Sequence, residues 1–161
     1  MDVRNAFPFK DMALAIQATF AQGGVKLTVI PADGGQLFSK YRARKHDIYI
    51  GGWTPDYADP EANVNGFINN PDNNAPNLSG LLAWRNGWSN PKLMAMDAQA
   101  VVEPDIAKRI GIYQEIQREL REQSPYVFAF QLVANTGLAR GVKGFDGGGA
   151  VSYVKFWPVS K

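Results

Sequence analysis

Asp47-Ile48-Tyr49-Ile50-Gly51-Gly52-Trp53-Thr54-Pro55-Asp56-Tyr57-Ala58-Asp59-Pro60 is the stretch that decides the fold. A short β-type run stops at two glycines and then presents an indole, a carboxylate and a phenol within five positions. Strands end this way where a sheet edge holds a ligand, because glycine lets the backbone turn or approach closely and the next side chains carry recognition chemistry. Asp47 to Gly52 is therefore read as a strand, and the loop after Gly52 as the first candidate site.

The residues before this stretch supply two more strands and two helices. Val3 lies in a short strand. Met12, Ile16 and Phe20 repeat at four-residue spacing and mark one face of a helix that Gly23-Gly24 would end. Val25, Leu27 and Val29 alternate with Lys26 and Thr28, the pattern of a strand with one wetter face, which Pro31 closes. A shorter helix begins after Asp33, with Leu37 and Tyr41 inward and the basic cluster Lys40-Tyr41-Arg42-Ala43-Arg44-Lys45 at its C-terminal end, where the helix dipole favours positive charge. Helices between strands imply parallel pairing through right-handed crossovers, so the loop after Gly52 leaves the carboxyl edge of the sheet.

Beyond Pro60, where another helix begins, Asn69 to Asn90 is rich in Asn, Pro, Gly and Ser and is read as a surface excursion whose Trp84 and Trp88 need something to pack on. Asn90-Pro91 starts a helix through about Val102, with Leu93, Met94, Met96 and Val101 as its apolar residues. In the next helix Pro104 fits the first turn, Ile106, Ile110, Tyr113, Ile116 and Leu120 recur at helical steps, and Pro125 marks the end. Arg118 and Glu122 are spaced for a surface pair. Tyr126 to Val133 reads as a strand, and Val151 to Trp157 as a short strand-like run after a glycine-rich section.

Composition limits the function. A chain of 161 residues, 45% hydrophobic and 20% charged, can bury a core and is not expected to be disordered. The net charge of +2 and the local clustering of its basic residues argue against nucleic-acid binding, and the cluster is read as a solvated helix end. Without cysteine there are no disulfides or thiolate nucleophiles. No apolar run approaches the roughly 20 residues of a membrane span, and the N-terminus lacks a signal-peptide pattern.

The order of these features resembles the C-terminal half of the peptide-type (family 5) extracellular solute-binding proteins of ABC transporters. The resemblance rests on Ile16-Gln17, on Gly24-Val25-Lys26-Leu27, and on Tyr41-Arg42-Ala43-Arg44 before Asp47-Ile48. It also rests on Trp53-Thr54-Pro55-Asp56-Tyr57 with Asp59-Pro60, on Arg109, Tyr113 and Gln117 before Ser124-Pro125-Tyr126, and on Gly141-Val142-Lys143-Gly144-Phe145. It implies an α/β fold, a type II periplasmic-binding-protein-like lobe with a mixed, mostly parallel sheet flanked by helices. Residues 1–134 would form the ligand-binding second lobe, and residues 135–161 would return to the first lobe of the intact receptor. The chain is expected to be a fragment carrying one lobe of a hinged cleft, periplasmic or extracytoplasmic, with no cofactor and no metal. Its implied partners are a peptide or other small solute, the first lobe and an ABC permease, with self-association of the isolated lobe as a further expectation.

The resemblance also implies roles. Asp56 matches the carboxylate that pairs with a peptide's α-ammonium group, Trp53 and Tyr57 would wall the site, and backbone groups around Gly51, Gly52 and Thr54 would bond an extended ligand. Read without it, Asp56 caps a turn or the helix near Pro60 and Trp53 belongs to the core. Asp59-Pro60 is assigned to structure, because a residue before proline is held extended.

Other chemistry has weaker support. His46, the only histidine, has no second histidine or cysteine with which to build a metal site, and no Gly-x-Ser-x-Gly elbow accompanies it; it is read as an exposed loop residue. Asp72-Asn73-Asn74 lacks the glycine and closing glutamate of a calcium loop. Gly147-Gly148-Gly149 is not placed as a phosphate-binding turn, and Asn77-Leu78-Ser79 is a bare glycosylation triplet. The rival class is a carbohydrate-active hydrolase using Asp56, Asp59 or Glu61 as paired carboxylates.

Overall fold

The computed structural model describes residues 1–74, 76, 80–131, 133, 135–147 and 155–161. The element order is β1 (Asp2–Arg4), α1 (Phe9–Gln22), β2 (Ile30–Ala32), α2 (Gly34–Arg42), β3 (Tyr49–Ile50), α3 (Pro60–Ile68), α4 (Leu82–Arg85), α5 (Pro91–Val102) and α6 (Ile106–Gln123). The chain divides into two compact units, Met1–Trp53 with Asp72–Ser89, and Thr54–Pro71 with Asn90–Lys161.

The first unit holds a parallel sheet of order β2-β1-β3, as helices alternating with strands require. Val3 is fully buried at its centre beside Met1 and Ala13, with Phe9, Ile16, Leu27, Val29 and Ile50 packed around them. The inward face of α1 is thus Phe9, Ala13 and Ile16, and Phe20 is 40% exposed. A 14-residue helix is about 21 Å long whereas a three-residue strand is about 10 Å, so the last turns of α1 overhang the sheet.

The second strand lies later than its alternation predicts. Val25 to Val29 make no ladder, and β2 begins at Ile30. The register pairs Asp2 with Ile30, and the Met1 amino group donates to the Thr28 carbonyl at 2.8 Å. Pro31 does not close the strand but occupies its middle, opposite Val3. Ile30 N–H donates to Met1 O and Asn5 N–H to Ala32 O, each at 2.9 Å. Those two residues therefore face β1, and the proline's missing N–H falls on the outer edge, where a sheet tolerates it.

Asp33 caps α2, its Oδ1 accepting from Gln36 N–H at 2.9 Å, and Leu37 and Tyr41 are buried as read. Asp33→Ala is expected to cost about 1 kcal/mol in urea unfolding; no change would show that water serves Gln36 equally well. The basic cluster is not simply a solvated helix end. Lys40 pairs with the buried Asp2 at 2.6 Å, and the Arg44 guanidinium lies 4.1 Å over the Trp84 ring while donating to Asn73 O at 3.0 Å. His46, read as an exposed loop residue, is half-buried edge-on to Tyr41 at 4.8 Å, with Nε2 3.2 Å from Asn86 Oδ1. Asn69 to Asn90 includes the turn α4, which buries Trp84; the triplet Asn77-Leu78-Ser79 lies outside the described residues.

The second unit packs α5 against α6 and α3 against both. The boundaries of α5 are as read, with Asn90 Oδ1 accepting from Leu93 N–H at 3.2 Å, but Val101 is 53% exposed and the buried face carries Leu93, Asp97 and Ala100. Helix α6 is capped by Asp105, which puts Pro104 just outside it rather than in its first turn. Ile106 and Ile110 are exposed, and Tyr113, Ile116 and Leu120 are buried. Arg118 pairs with Glu115, one turn back, rather than with Glu122.

Tyr126 to Val133 forms no strand among its described residues, and Leu132 lies outside them. Described strands to pair with are lacking in this unit, and the segment is held by rings instead: Tyr126 and Phe128 meet Phe67 edge-on at 5.1 and 5.2 Å. Of the run Val151 to Trp157, residues 151–154 lie outside the described set. Two antiparallel bridges, Lys143 with Ser160 and Asp146 with Lys155, tie the final segment together.

Candidate functional site

The five residues read as ligand contacts follow one another at the chain's passage from the first unit to the second. Gly52 and Trp53 end the first unit, while Thr54, Asp56 and Tyr57 open the second. Gly51, just before them, admits no side chain: an added Cβ would lie 2.3 Å from the Tyr49 ring. Trp53 is 38% exposed, so it is not the core residue of the alternative reading. Thr54 is also exposed.

Three acids follow, and they have different surroundings. Asp59, not Asp56, caps α3: its Oδ1 accepts from Glu61 N–H at 2.9 Å. The same carboxylate takes both ends of the Arg109 fork, Nη2 to Oδ1 at 2.7 Å and Nη1 to Oδ2 at 3.0 Å. These hydrogen bonds from Arg109 hold the Asp59 pKa below the ordinary carboxylate value. Arg109 is itself fixed by Nε donating to Ala100 O at 3.0 Å, and the Asp59 carboxylate raises its pKa.

Glu61 is likewise engaged. Its Oε1 accepts from Asn65 Nδ2 at 2.7 Å and its Oε2 from the Tyr57 hydroxyl. That hydrogen bond pushes the Tyr57 phenol up to about 12, while its ring stays 50% exposed. Asp56 differs from both. Its side chain is exposed and has no hydrogen bond or ion pair among the described residues. One carboxylate of the three is open to an incoming cation, and the other two hold the loop and the helix behind it.

Paired-carboxylate chemistry finds no pair here, because Asp59 is neutralised by a bidentate guanidinium and Glu61 accepts from two donors. Among the described residues no group of three or more His, Asp or Glu side chains could hold a metal, and no helix is long and apolar enough to cross a membrane.

Two residues of this neighbourhood went unread in the sequence. Arg109 stood out only as part of a motif, and nothing in its spacing shows that it reaches back to Asp59, fifty positions earlier. Asp97, buried on α5, has its Oδ1 without a hydrogen bond. Burial first, and the Glu61 charge second, push its carboxyl up to about 6. Its signal was an acid one turn after Leu93, on the face that proves apolar.

Residues 2–75 match the family described as bacterial extracellular solute-binding proteins, family 5 Middle. That stretch, a little under half of the chain, is what is similar to this family.

Among curated relatives it is similar to the peptide transport periplasmic protein SapA of Salmonella typhimurium, with 29% identity over 75% of this chain and 21% of that protein. It is similar to di/tripeptide-binding protein 4 of Pseudomonas aeruginosa, with 29% identity over 71% and 20%. The chain thus spans about a fifth of these relatives. In fold it is similar to HbpA2 from Haemophilus parasuis, at a TM-score of 0.72 and 20% identity over 99% of this chain and 31% of that one. It is also similar to the ABC transporter-associated periplasmic binding protein DppA from Helicobacter pylori in complex with the peptide STSA, at a TM-score of 0.61 and 18% identity over 78% and 24%.

Proposed function

We propose that this chain is part of the extracytoplasmic, non-catalytic peptide-binding component of an ABC importer, and that Asp56 is its anchor for the ligand's α-ammonium group. The observation that carries the reading is the division of labour among the three loop acids: Asp59 and Glu61 are saturated by internal partners, and Asp56 is exposed with none. An ammonium meeting this carboxylate forms charge-assisted hydrogen bonds that strengthen as water is excluded. Trp53 and Tyr57 would offer apolar faces tolerant of many side chains, and the backbone from Gly52 to Thr54 would bond the ligand's main chain without regard to its sequence. In this reading residues 1–134 serve the ligand lobe, residues 135–161 complete the first lobe, and a permease receives the solute. The names of the similar proteins, several of which specify peptides, support the substrate class.

Calorimetry with short peptides, free or acetylated at the N-terminus, tests the assignment. Asp56→Asn is expected to weaken binding of the free-amine peptide by tenfold or more, which is at least about 1.4 kcal/mol, and to leave the acetylated peptide unaffected. Equal affinity of variant and parent for the free-amine peptide would remove Asp56 from the site.

A further inference from the structure

In the first unit two arginines line one concavity that, among the described residues, no acid lines. Arg85, the last residue of α4, has its Nε buried and without a hydrogen-bond partner. The charged and titratable groups acting on it are Tyr41, Tyr49 and a second cation, Arg42. Desolvation, and with it the Arg42 charge, lowers the Arg85 pKa. A guanidinium taken partly out of water beside a like charge is unfavourable unless something negative joins it.

The surroundings hold this guanidinium in place. It lies 5.3 Å from the Tyr41 ring centroid. Tyr41 is itself stacked on Tyr49 at 3.9 Å and accepts from Asn86 Nδ2 at 2.9 Å. An arginine stacked on an aromatic face keeps its in-plane N–H groups available, in the fork geometry that suits an oxyanion.

Among the described residues the concavity is lined by Arg42, Gly80, Trp84 and Arg85 and has a volume of about 380 Å³, within the range of small-molecule sites at ~300–1,000 Å³. Trp84 is a fixed wall, 3% exposed, with Nε1 donating to Asn74 O at 3.1 Å. Gly80 has φ +75° and leaves open space where a side chain would stand.

We infer that this concavity binds a small organic oxyanion, a phosphate or carboxylate, with Arg85 and Arg42 as its cationic arms and the ligand's apolar body against Trp84. It is separate from the Asp56 loop and selects the opposite charge, so it stands whether or not that loop binds peptides.

Phenyl phosphate, benzoate and neutral benzyl alcohol, each titrated into the chain by calorimetry, test the inference, with the arginine Nε–H resonances followed in nitrogen-labelled protein. At least one of the two anions is expected to bind with a Kd below about 1 mM, to shift the Arg85 Nε–H signal, and to bind tenfold or more weakly after Arg85→Gln or Arg42→Gln. Benzyl alcohol is expected not to bind. Binding of phenyl phosphate alone would assign a phosphate site, and binding of both anions a general oxyanion site. Arg42 is exposed, so Arg42→Gln keeps the test decisive if Arg85→Gln fails to fold. No saturable binding of either anion, or binding that Arg42→Gln leaves unchanged, would overturn the inference.

Discussion

Ile116→Ala is expected to lower the unfolding free energy of the second unit by about 2–5 kcal/mol, the range for removing a large buried aliphatic side chain from a close-packed core. Ile116 in α6, Leu93 in α5 and Ile68 in α3 are all fully buried, and they come from the three helices that pack on one another. A hole at Ile116 has little means of closing, because both neighbouring helices are fixed near it: Asn90 caps α5, and Arg109 ties α6 to Asp59 at the start of α3. Urea unfolding followed by far-ultraviolet circular dichroism would measure the loss, since α5 and α6 carry much of the helix signal. Ile106→Ala is the control. It lies on the same helix but is 74% exposed, and its substitution should stay within about 0.5 kcal/mol. Equal losses at the two positions would mean that this helix does not bury the face assigned to it.

Asp97→Asn is expected to act in the opposite direction and to stabilise the protein at neutral pH. Burial raises the Asp97 carboxyl to about 6 from an ordinary 3.8, so the native state holds this proton more tightly than the unfolded chain does. Between about pH 4 and 6 the native state therefore binds more protons, stability falls as pH rises through that window, and the loss is complete above it. A gap of about two pKa units corresponds to at most about 3 kcal/mol, and relaxation of the site brings the expected gain from the substitution to about 1–3 kcal/mol at pH 7. The variant should also lose the downward slope between pH 4 and 6. Asp59 contributes with the other sign: its pKa is depressed, so its stabilisation is present above the ordinary carboxylate range and lost on acidification below it. The two effects occupy different pH ranges and can be separated in one series of melting curves. A variant no more stable than its parent at pH 7, with the slope intact, would show that Asp97 is ionised at little cost.

Local rules made much of the fold legible. Asn90-Pro91 placed the start of α5, Asp33 that of α2 and Gly23-Gly24 the end of α1, because caps and breakers act over a few residues and need no tertiary partner. What failed was long-range. Val25 to Val29 have the alternation of a strand, but a strand requires a register with a neighbour, and β1 starts its ladder opposite Ile30. Tyr126 to Val133 have the composition of a strand, yet the partners of Tyr126 and Phe128 are aromatic rings rather than another backbone. The loop acids show the same limit. Their positions could be read from the sequence, and the bond from Arg109 that distinguishes Asp59 from Asp56 could not, since it joins residues fifty apart. The oxyanion concavity was hidden for a related reason: the basic cluster contributes Arg42, and Arg85 comes from a turn that composition alone presents as a loop.

The placement of Pro31 bears on how the sheet resists unwanted company. β2 is an outer strand, and the residue whose backbone faces outward is the one that has no hydrogen to donate. A stray extended chain approaching that margin would meet an incomplete template three residues long, which discourages fibril-like stacking without any charged guard residue.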